Sequence, residues 1–324
     1  MVERMKLVFC GTPRFAVPTL EALLAAGHEL PLVVTQPDRP VGRTKEFTAP
    51  PVKLAALAAG LEVTQPEKIR DNSEFRTRLE AIAPDAVVVV AYGRLIPPWM
   101  LRLPRLGCIN LHASLLPRYR GAAPIQWAVA MGEVFTGNTT MLLEEGLDTG
   151  PILLQQALAI GAEQTAVDLF DVLAAGGAPL VVKTLAGLDG GTIEPKPQNR
   201  AGATLAPILR REDGRMDFAA RTAMELKNRW RGFQPWPGAF TTLDGKKLIV
   251  HRLGVAESSS FATPEEATPG AIHVVDHRLF AACAGNTWIE LLEVQLEGKK
   301  RLAAAEFLRG NALSEGTRLG TPAP

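Results

Sequence analysis

Asp85-Ala86-Val87-Val88-Val89-Val90 decides the fold. An unbroken apolar run dominated by valine cannot alternate between a wet face and a dry one. A strand this uniform is buried on both sides, as at the centre of a parallel sheet. A polar helical stretch, Asn72 to Ile82, leads into it, and Gly107 to His112 reads as the next strand. Toward the N-terminus, Leu7 to Cys10 is a short apolar run before the turn Gly11-Thr12-Pro13, and Val17 to Ala26 has helical spacing. Leu32 to Thr35 is apolar and β-branched. Val52 to Ala59 is helical and stops at Gly60, and Leu61 to Thr64 is a further short strand. Strands alternating with helices predict an α/β domain: a parallel sheet with helices on both faces, joined by right-handed crossovers. In such sheets, ligands collect at the carboxyl ends of the strands.

The alternation fades after Leu188. Residues 190–207 contain Gly190, Gly191, Pro195, Pro197, Gly202 and Pro207, and read as a linker. Beyond it, Ala219 to Trp230 is helix-like. Short β-like runs follow at Ala239–Leu243, Lys247–Arg252, Ala271–Val275, Leu279–Ala282 and Thr287–Val294, with turns such as Asp244-Gly245 between them. Several short strands at regular spacing predict a small barrel or sandwich. The expected division is therefore a domain over 1–189, the linker 190–207, a β domain over 208–316 and a frayed tail over 317–324.

A chain of 324 residues is long enough for two domains, and 47% hydrophobic content supplies their cores. A net charge of +1 excludes a protein coated in positive charge, so a nucleic acid would have to meet a local basic surface. The cysteines, Cys10, Cys108 and Cys283, are odd in number and far apart. That argues against a disulfide framework or a zinc knuckle and fits a reducing compartment. Cys108 shares a strand face with Asn110 and His112, yet a free cysteine reads better as a small buried hydrophobe. The longest apolar run, Ala86 to Tyr92, is far short of a membrane span, and Met1 to Phe15 does not read as a secretory signal. The expectation is a cytoplasmic monomer with no membrane partner.

Three segments carry chemistry. Asn110-Leu111-His112-Ala113-Ser114-Leu115-Leu116-Pro117 lies where the fifth strand should end. Alternate strand residues share a face, so Asn110 and His112 project together and Leu111 turns away. An amide that donates, beside an imidazole that manages a proton, suits acyl transfer: one group stabilises an oxyanion while the other handles the proton. Taken alone, Asn-x-His matches easily by chance. In Gly146-Leu147-Asp148-Thr149-Gly150, an Asp among glycines is ordinarily a turn residue, although it could also orient His112. The stretch Arg118-Tyr119-Arg120-Gly121-Ala122-Ala123-Pro124-Ile125-Gln126-Trp127-Ala128 mixes arginines, turn formers and apolar residues in a way periodicity does not explain. Loops of that composition are disproportionately functional.

Together these segments strongly resemble the signature of the 10-formyltetrahydrofolate-dependent formyltransferases, and the resemblance covers nearly the whole chain. It implies a Rossmann-like catalytic domain followed by a small OB-like β-barrel that helps hold tRNA. It implies Asn110, His112 and Asp148 as a catalytic triad, and Ser114, Leu115, Leu116 and Pro117 as a folate-binding turn. Tyr92, Gly93 and Leu95 would line the pterin beside that turn. The implied co-substrate is 10-formyltetrahydrofolate, with no metal and no covalent enzyme intermediate. Gly11-Thr12-Pro13 lacks the glycine spacing of a dinucleotide fingerprint, so a nucleotide cofactor is not expected.

Phe9 to Ala16, Thr35 to Arg43 and Phe233 to Phe240 resemble the branch of the family that acts on initiator methionyl-tRNA, which implies that tRNA as the amine carrier. Arg39, Arg43 and Lys45 would then form a basic arm toward the acceptor stem. Between Gly191 and Arg252 there are twelve Lys or Arg against six Asp or Glu, which makes Arg200, Arg210, Lys246 and Lys247 candidate phosphate contacts. Two features depart from the family pattern. Glu46 and Phe47 stand where a lysine-rich continuation is common, and Ile208 follows Ala206-Pro207 where a lysine is frequent. The rival readings are a sugar-amine formyltransferase, which needs no basic arm; a glycinamide ribonucleotide transformylase, which would lack the C-terminal domain; a formyltetrahydrofolate hydrolase, with water in place of the amine; and a non-catalytic RNA-binding protein, which needs no triad.

Overall fold

The computed structural model describes residues 4–41, 46–257, 267–311, 313 and 316–320. The chain divides into two compact units. One comprises Met1–Ile125, Phe135–Ile160 and Asp168–Pro207; the other comprises Gln126–Val134, Gly161–Val167 and Ile208–Pro324.

In the first unit, β1 (Lys6–Gly11), α1 (Val17–Ala25) and β2 (Glu29–Val34) are followed by the hairpin β3 (Arg39–Val41) and β4 (Glu46–Thr48). Next come α2 (Pro51–Ala58), β5 (Val63–Thr64), α3 (Ser73–Ile82), β6 (Ala86–Val90), α4 (Pro98–Leu101) and β7 (Cys108–His112). After α5 (Pro124–Ala130), the sheet ends with β8 (Phe135–Leu142) and β9 (Ile152–Ala159), and α6 (Ala166–Asp189) packs back onto it. The sheet order is β5-β2-β1-β6-β7-β8-β9.

The valine strand β6 is buried along its whole length between β1 and β7 and runs parallel to both. Its two faces meet different partners. Val87 and Val89 pack with Phe75, Leu79, Met100 and Cys108 on the side of α3 and α4. On the opposite side, Gly177 of α6 lets Leu111 approach so closely that an added Cβ would lie 2.6 Å from the leucine Cδ2. Asn138 donates to the Leu173 carbonyl at 2.8 Å, and the Thr140 and Thr184 hydroxyls meet at 2.7 Å. By length and composition alone α6 is apolar enough to cross a membrane. In the fold it buries Leu169, Leu173, Val181 and Leu185, the pattern of a core helix.

One edge of the sheet departs from the parallel expectation. β8 runs antiparallel to β7, pairing Thr139 with His112, and β9 runs antiparallel to β8. No helix separates β8 from β9, and their short connection returns β9 antiparallel to β8, whereas β8 reverses against β7 even though α5 lies between them.

The second unit is built on α7 (Ala223–Gly232), whose first turn is closed by Thr222 and Glu225 as a reciprocal cap. It continues through β10 (Ala239–Leu243), β11 (Lys246–Val255), β12 (Ile272–Val275), β13 (Arg278–Cys283), β14 (Thr287–Leu296), β15 (Leu302–Ala303) and α8 (Ala304–Gly310). Leu226, Leu248, Val250, Ile289, Leu291, Val294 and Phe307 form its core. The strands make an antiparallel sheet in the order β10-β11-β14-β13-β12, with β15 added to β14.

The expected closed barrel is not found: among the described residues no strand ladder joins β10 to β12. Residues 317–320 bridge the two edges instead. Ile272 donates to the Thr317 carbonyl at 3.2 Å, Leu319 to the Gly270 carbonyl at 2.8 Å, and Gly320 to the Thr242 carbonyl at 3.0 Å. Leu319 is buried, so residues 317–320 are not frayed as expected, and the rest of the expected tail, 321–324, lies outside the described residues.

Candidate functional site

The site is built at the carboxyl end of β7. Leu111 faces α6, so pleating turns Asn110 and His112 to the other side, where both are buried. Among the described residues the Asn110 amide has no hydrogen-bond partner, which leaves its donors open.

The His112 ring is held from two sides. Its Nε2 lies 2.9 Å from the Tyr119 carbonyl oxygen. A carbonyl can only accept, so Nε2 carries a proton. The other nitrogen, Nδ1, faces the Asp148 carboxylate with Oδ2 at 3.7 Å, within ion-pair range and longer than a hydrogen bond. Asp148 sits in the connection between β8 and β9 with φ at 49°. Its Oδ2 accepts the Gly121 amide at 2.7 Å. Two backbone groups of one loop, a carbonyl and an N–H two residues apart, therefore set the spacing between imidazole and carboxylate.

The turn Ser114–Pro117 is braced against β8 and β9. The Ser114 hydroxyl donates to the Arg118 carbonyl at 2.7 Å. The Thr139 hydroxyl donates to the Ser114 carbonyl at 2.6 Å and accepts the Leu116 amide at 3.1 Å. Gln155 donates to both the Leu116 carbonyl and the Thr139 hydroxyl at 2.9 Å. Leu116 is buried, whereas Leu115 and Pro117 are half-buried.

The Tyr92 ring, expected among the folate walls, lies in the core cluster with Phe75 and Met100. Burial, and then the neighbouring Cys10, push its phenol well above the usual tyrosine range. Its carbonyl is engaged within the chain, accepting from Thr12 and Gln36 at 3.1 Å each. Gly93 and Leu95 are exposed on the following loop. Between them Arg94 ties that loop to Gln36 at 2.9 Å and to the Pro66 carbonyl at 3.0 Å. Cys108 is a buried member of the core, its thiol pushed up to about 12 by burial.

The basic candidates belong to both units. Arg39 is exposed on β3 and pairs with Glu67 at 3.3 Å. Arg43 and Lys45 lie outside the described residues. Arg200 is exposed in a short 3-10 turn, and Arg210 and Lys246 are exposed in the second unit. Lys247 is half-buried, with its ammonium 4.1 Å from the Phe240 ring centroid. Burial, and then the charge of Arg211, hold that ammonium below the usual lysine range. Among the described residues no cluster of His, Cys, Asp and Glu is arranged to hold a metal ion.

Sequence reading missed the Tyr119 carbonyl and the Gly121 amide, because backbone groups have no side-chain identity to read. Thr139 and Gln155 left no distinct signal either. They are cross-strand partners, but other polar residues of the same strands, Asn138, Thr140 and Gln156, give no ground for singling them out.

Comparison with known proteins supplies the wider context. A family model described as formyl transferase matches residues 5–185, and one described as formyl transferase, C-terminal domain, matches residues 208–312. A methionyl-tRNA formyltransferase of Acidobacterium capsulatum is 65% identical over 98% of this chain and 100% of its own length. One of Koribacter versatilis is 56% identical over 98% of this chain and 99% of its own. Among solved structures, WlaRD, a sugar 3N-formyl transferase crystallised in the presence of dTDP and 5-N-formyl-THF, superposes with a TM-score of 0.62 at 16% identity. That match covers 92% of this chain and 100% of WlaRD, and at that identity it speaks for the fold alone. The site at the end of β7 and the matches over both segments agree: the chain belongs to the formyl transferase family.

Proposed function

We propose that the protein transfers the formyl group of 10-formyltetrahydrofolate to the α-amine of methionine carried by initiator methionyl-tRNA, in the cytoplasm and without a metal. The observation that carries this reading is the position of His112 between a carbonyl that accepts from Nε2 and a carboxylate that faces Nδ1, with the open amide of Asn110 two residues away on the same strand face.

The chemistry follows from that placement. The neutral methionine amine attacks the formyl carbon, forming the new C–N bond while the carbonyl π electrons move onto oxygen. Asn110 donates to that oxygen. To donate from Nδ1 while Nε2 stays on Tyr119, the ring must carry both protons, so His112 meets the oxyanion as an imidazolium. Asp148 flanks the imidazolium and takes the ammonium proton through water. The intermediate collapses by breaking the bond between carbon and N10 while the proton taken by Asp148 returns through water to N10, which leaves as tetrahydrofolate with the carboxylate restored. Losing one oxyanion donor of this kind costs about two to three orders of magnitude in rate.

The braced turn Ser114–Pro117, with the exposed Gly93–Leu95 loop, supports a folate site of mainly apolar lining and a few orienting polar groups. The tRNA reading rests on 65% identity to a full-length methionyl-tRNA formyltransferase and on Arg39, Arg200, Arg210, Lys246 and Lys247. Arg43 and Lys45 belong to the same proposal. The experiment presents the protein and 10-formyltetrahydrofolate with methionyl-tRNA and, separately, with a dTDP-linked amino sugar. Formyl-methionyl-tRNA is expected. Formylation of the amino sugar alone would transfer the reading to the sugar branch.

A further inference from the structure

Residues 198–206 look like a spacer in the sequence, yet they grip both members of the His112–Asp148 pair. The Gln198 amide donates from Nε2 to the Asp148 carbonyl at 2.9 Å and to the Gly150 carbonyl at 2.7 Å. Its Oε1 accepts from Arg120, from Nη2 at 2.6 Å and Nε at 3.1 Å. One side chain thus ties the turn that carries Asp148 to the loop that carries Tyr119 and Gly121.

Thr204 acts on the other member. Its hydroxyl accepts the Tyr119 amide at 2.8 Å, and the Tyr119 carbonyl is the group that holds His112 Nε2. The main chain completes the grip. Arg120 donates to the Thr204 carbonyl at 2.9 Å, Ala206 donates to the Arg120 carbonyl at 2.7 Å, and Ala123 donates to the Ala206 carbonyl at 3.2 Å. The approach is so close that a Cβ on Gly121 would lie 2.5 Å from the Ala206 carbonyl oxygen, and Gly121 adopts a φ of 125° that suits glycine.

We propose that Gln198 and Thr204 are positioning residues for formyl transfer, with Gln198 setting the place of Asp148 and Thr204 setting the place of the Tyr119 carbonyl. The claim rests on the formyl-transfer reading of the pair. Neither side chain touches the reacting atoms. Both act through the 3.7 Å separation of His112 Nδ1 from Asp148 Oδ2, a distance that no direct hydrogen bond fixes. A gap of that kind is held by its surroundings, and an error of about 1 Å in such geometry is worth about a hundredfold in rate.

The test uses the full chain and two variants that lesion opposite ends of the grip. Gln198→Glu keeps the partner of Arg120 but replaces two donors with a carboxylate facing two carbonyls. Thr204→Val removes only the hydroxyl from an exposed residue, so it folds even if Gln198→Glu melts early. Thr204→Ser restores the hydroxyl and is the rescue. The expected result for each lesion is a fall in kcat of about tenfold or more, with KM for folate and for methionyl-tRNA within about twofold of wild type. The His112 ring nitrogen-15 resonances, followed by NMR at one fixed pH, move in both lesions and return in Thr204→Ser. Wild-type kcat in both lesions, or a loss confined to KM, overturns the proposal. A wild-type chain that formylates no amine counts against the formyl-transfer reading instead, and the His112 ring resonances then decide the positioning claim by themselves.

Discussion

His112 Nε2 and the Tyr119 carbonyl oxygen stand 2.9 Å apart in a buried site, which fixes where the ring keeps its proton. An acceptor-only partner at that distance forces the neutral ring into the Nε2–H tautomer. Nitrogen-15 NMR on histidine-labelled protein should therefore find His112 Nε2 protonated in both the neutral and the charged ring. A neutral ring protonated on Nδ1 would contradict the placement.

Asn110 offers the other donors to the developing oxyanion. Asn110→Ala should lower kcat by about two to three orders of magnitude while leaving the melting midpoint close to wild type, because the amide has no structural bond to lose. Asn110→Asp preserves shape but places an acceptor against the oxyanion, so it should be at least as slow. Steady-state formyl transfer checks both, and a loss of less than about tenfold in each would remove Asn110 from the chemistry.

Local pattern made part of this legible. Val87 to Val90 announced the central strand because no half-exposed strand tolerates such a run, and the alternation of Asn110 and His112 about Leu111 needed only the strand period of two. Direction and closure were less accessible. The reversal at β8 and the open antiparallel sheet of the second unit depend on which edges meet, and strand-forming residues do not specify that. The grip on Asp148 was invisible for a related reason. Gln198 follows Pro195 and Pro197 in a stretch that composition marks as a linker, and its partners Asp148, Gly150 and Arg120 lie roughly 50 and 78 residues away.

Thr139 braces the Ser114–Pro117 turn with two hydrogen bonds and accepts a third from Gln155. Thr139→Val keeps the shape and strands the Leu116 amide and Ser114 carbonyl, which should cost about 1–3 kcal/mol of stability. It should also raise KM for 10-formyltetrahydrofolate while affecting KM for methionyl-tRNA little. Urea denaturation and substrate titration give the two readings, and an unchanged folate KM would detach this turn from the folate site.

His28 gives the first unit an acid sensitivity. Its Nδ1 accepts the Met5 amide at 3.3 Å, so the ring must be neutral there. Burial lowers its pKa below the ordinary 6.5, and the charge of Asp189 opposes this only in part. With the folded value below the unfolded one, the unfolded chain binds more protons between the two. Stability is then complete above about pH 6.5 and falls as pH drops through that value toward the folded pKa. Asn at this position still accepts the Met5 amide but does not titrate. Between about pH 7.5 and pH 5.5 the urea midpoint of wild type should fall further than that of His28→Asn, and equal slopes would show that His28 is not the sensor.

The measurement closest to the core of the mechanism is the single-turnover rate of formyl-methionyl-tRNA formation by wild type and by Asp148→Asn, with both substrates saturating. The substitution keeps an oxygen for the Gly121 amide and removes the charge that faces His112 Nδ1. The variant should fold normally, bind both substrates and react at least about a hundredfold more slowly. A folded Asp148→Asn protein that formylates methionyl-tRNA at the wild-type rate would contradict the role given to the carboxylate and, with it, the convergence of Asn110, His112 and Asp148 on one formyl group.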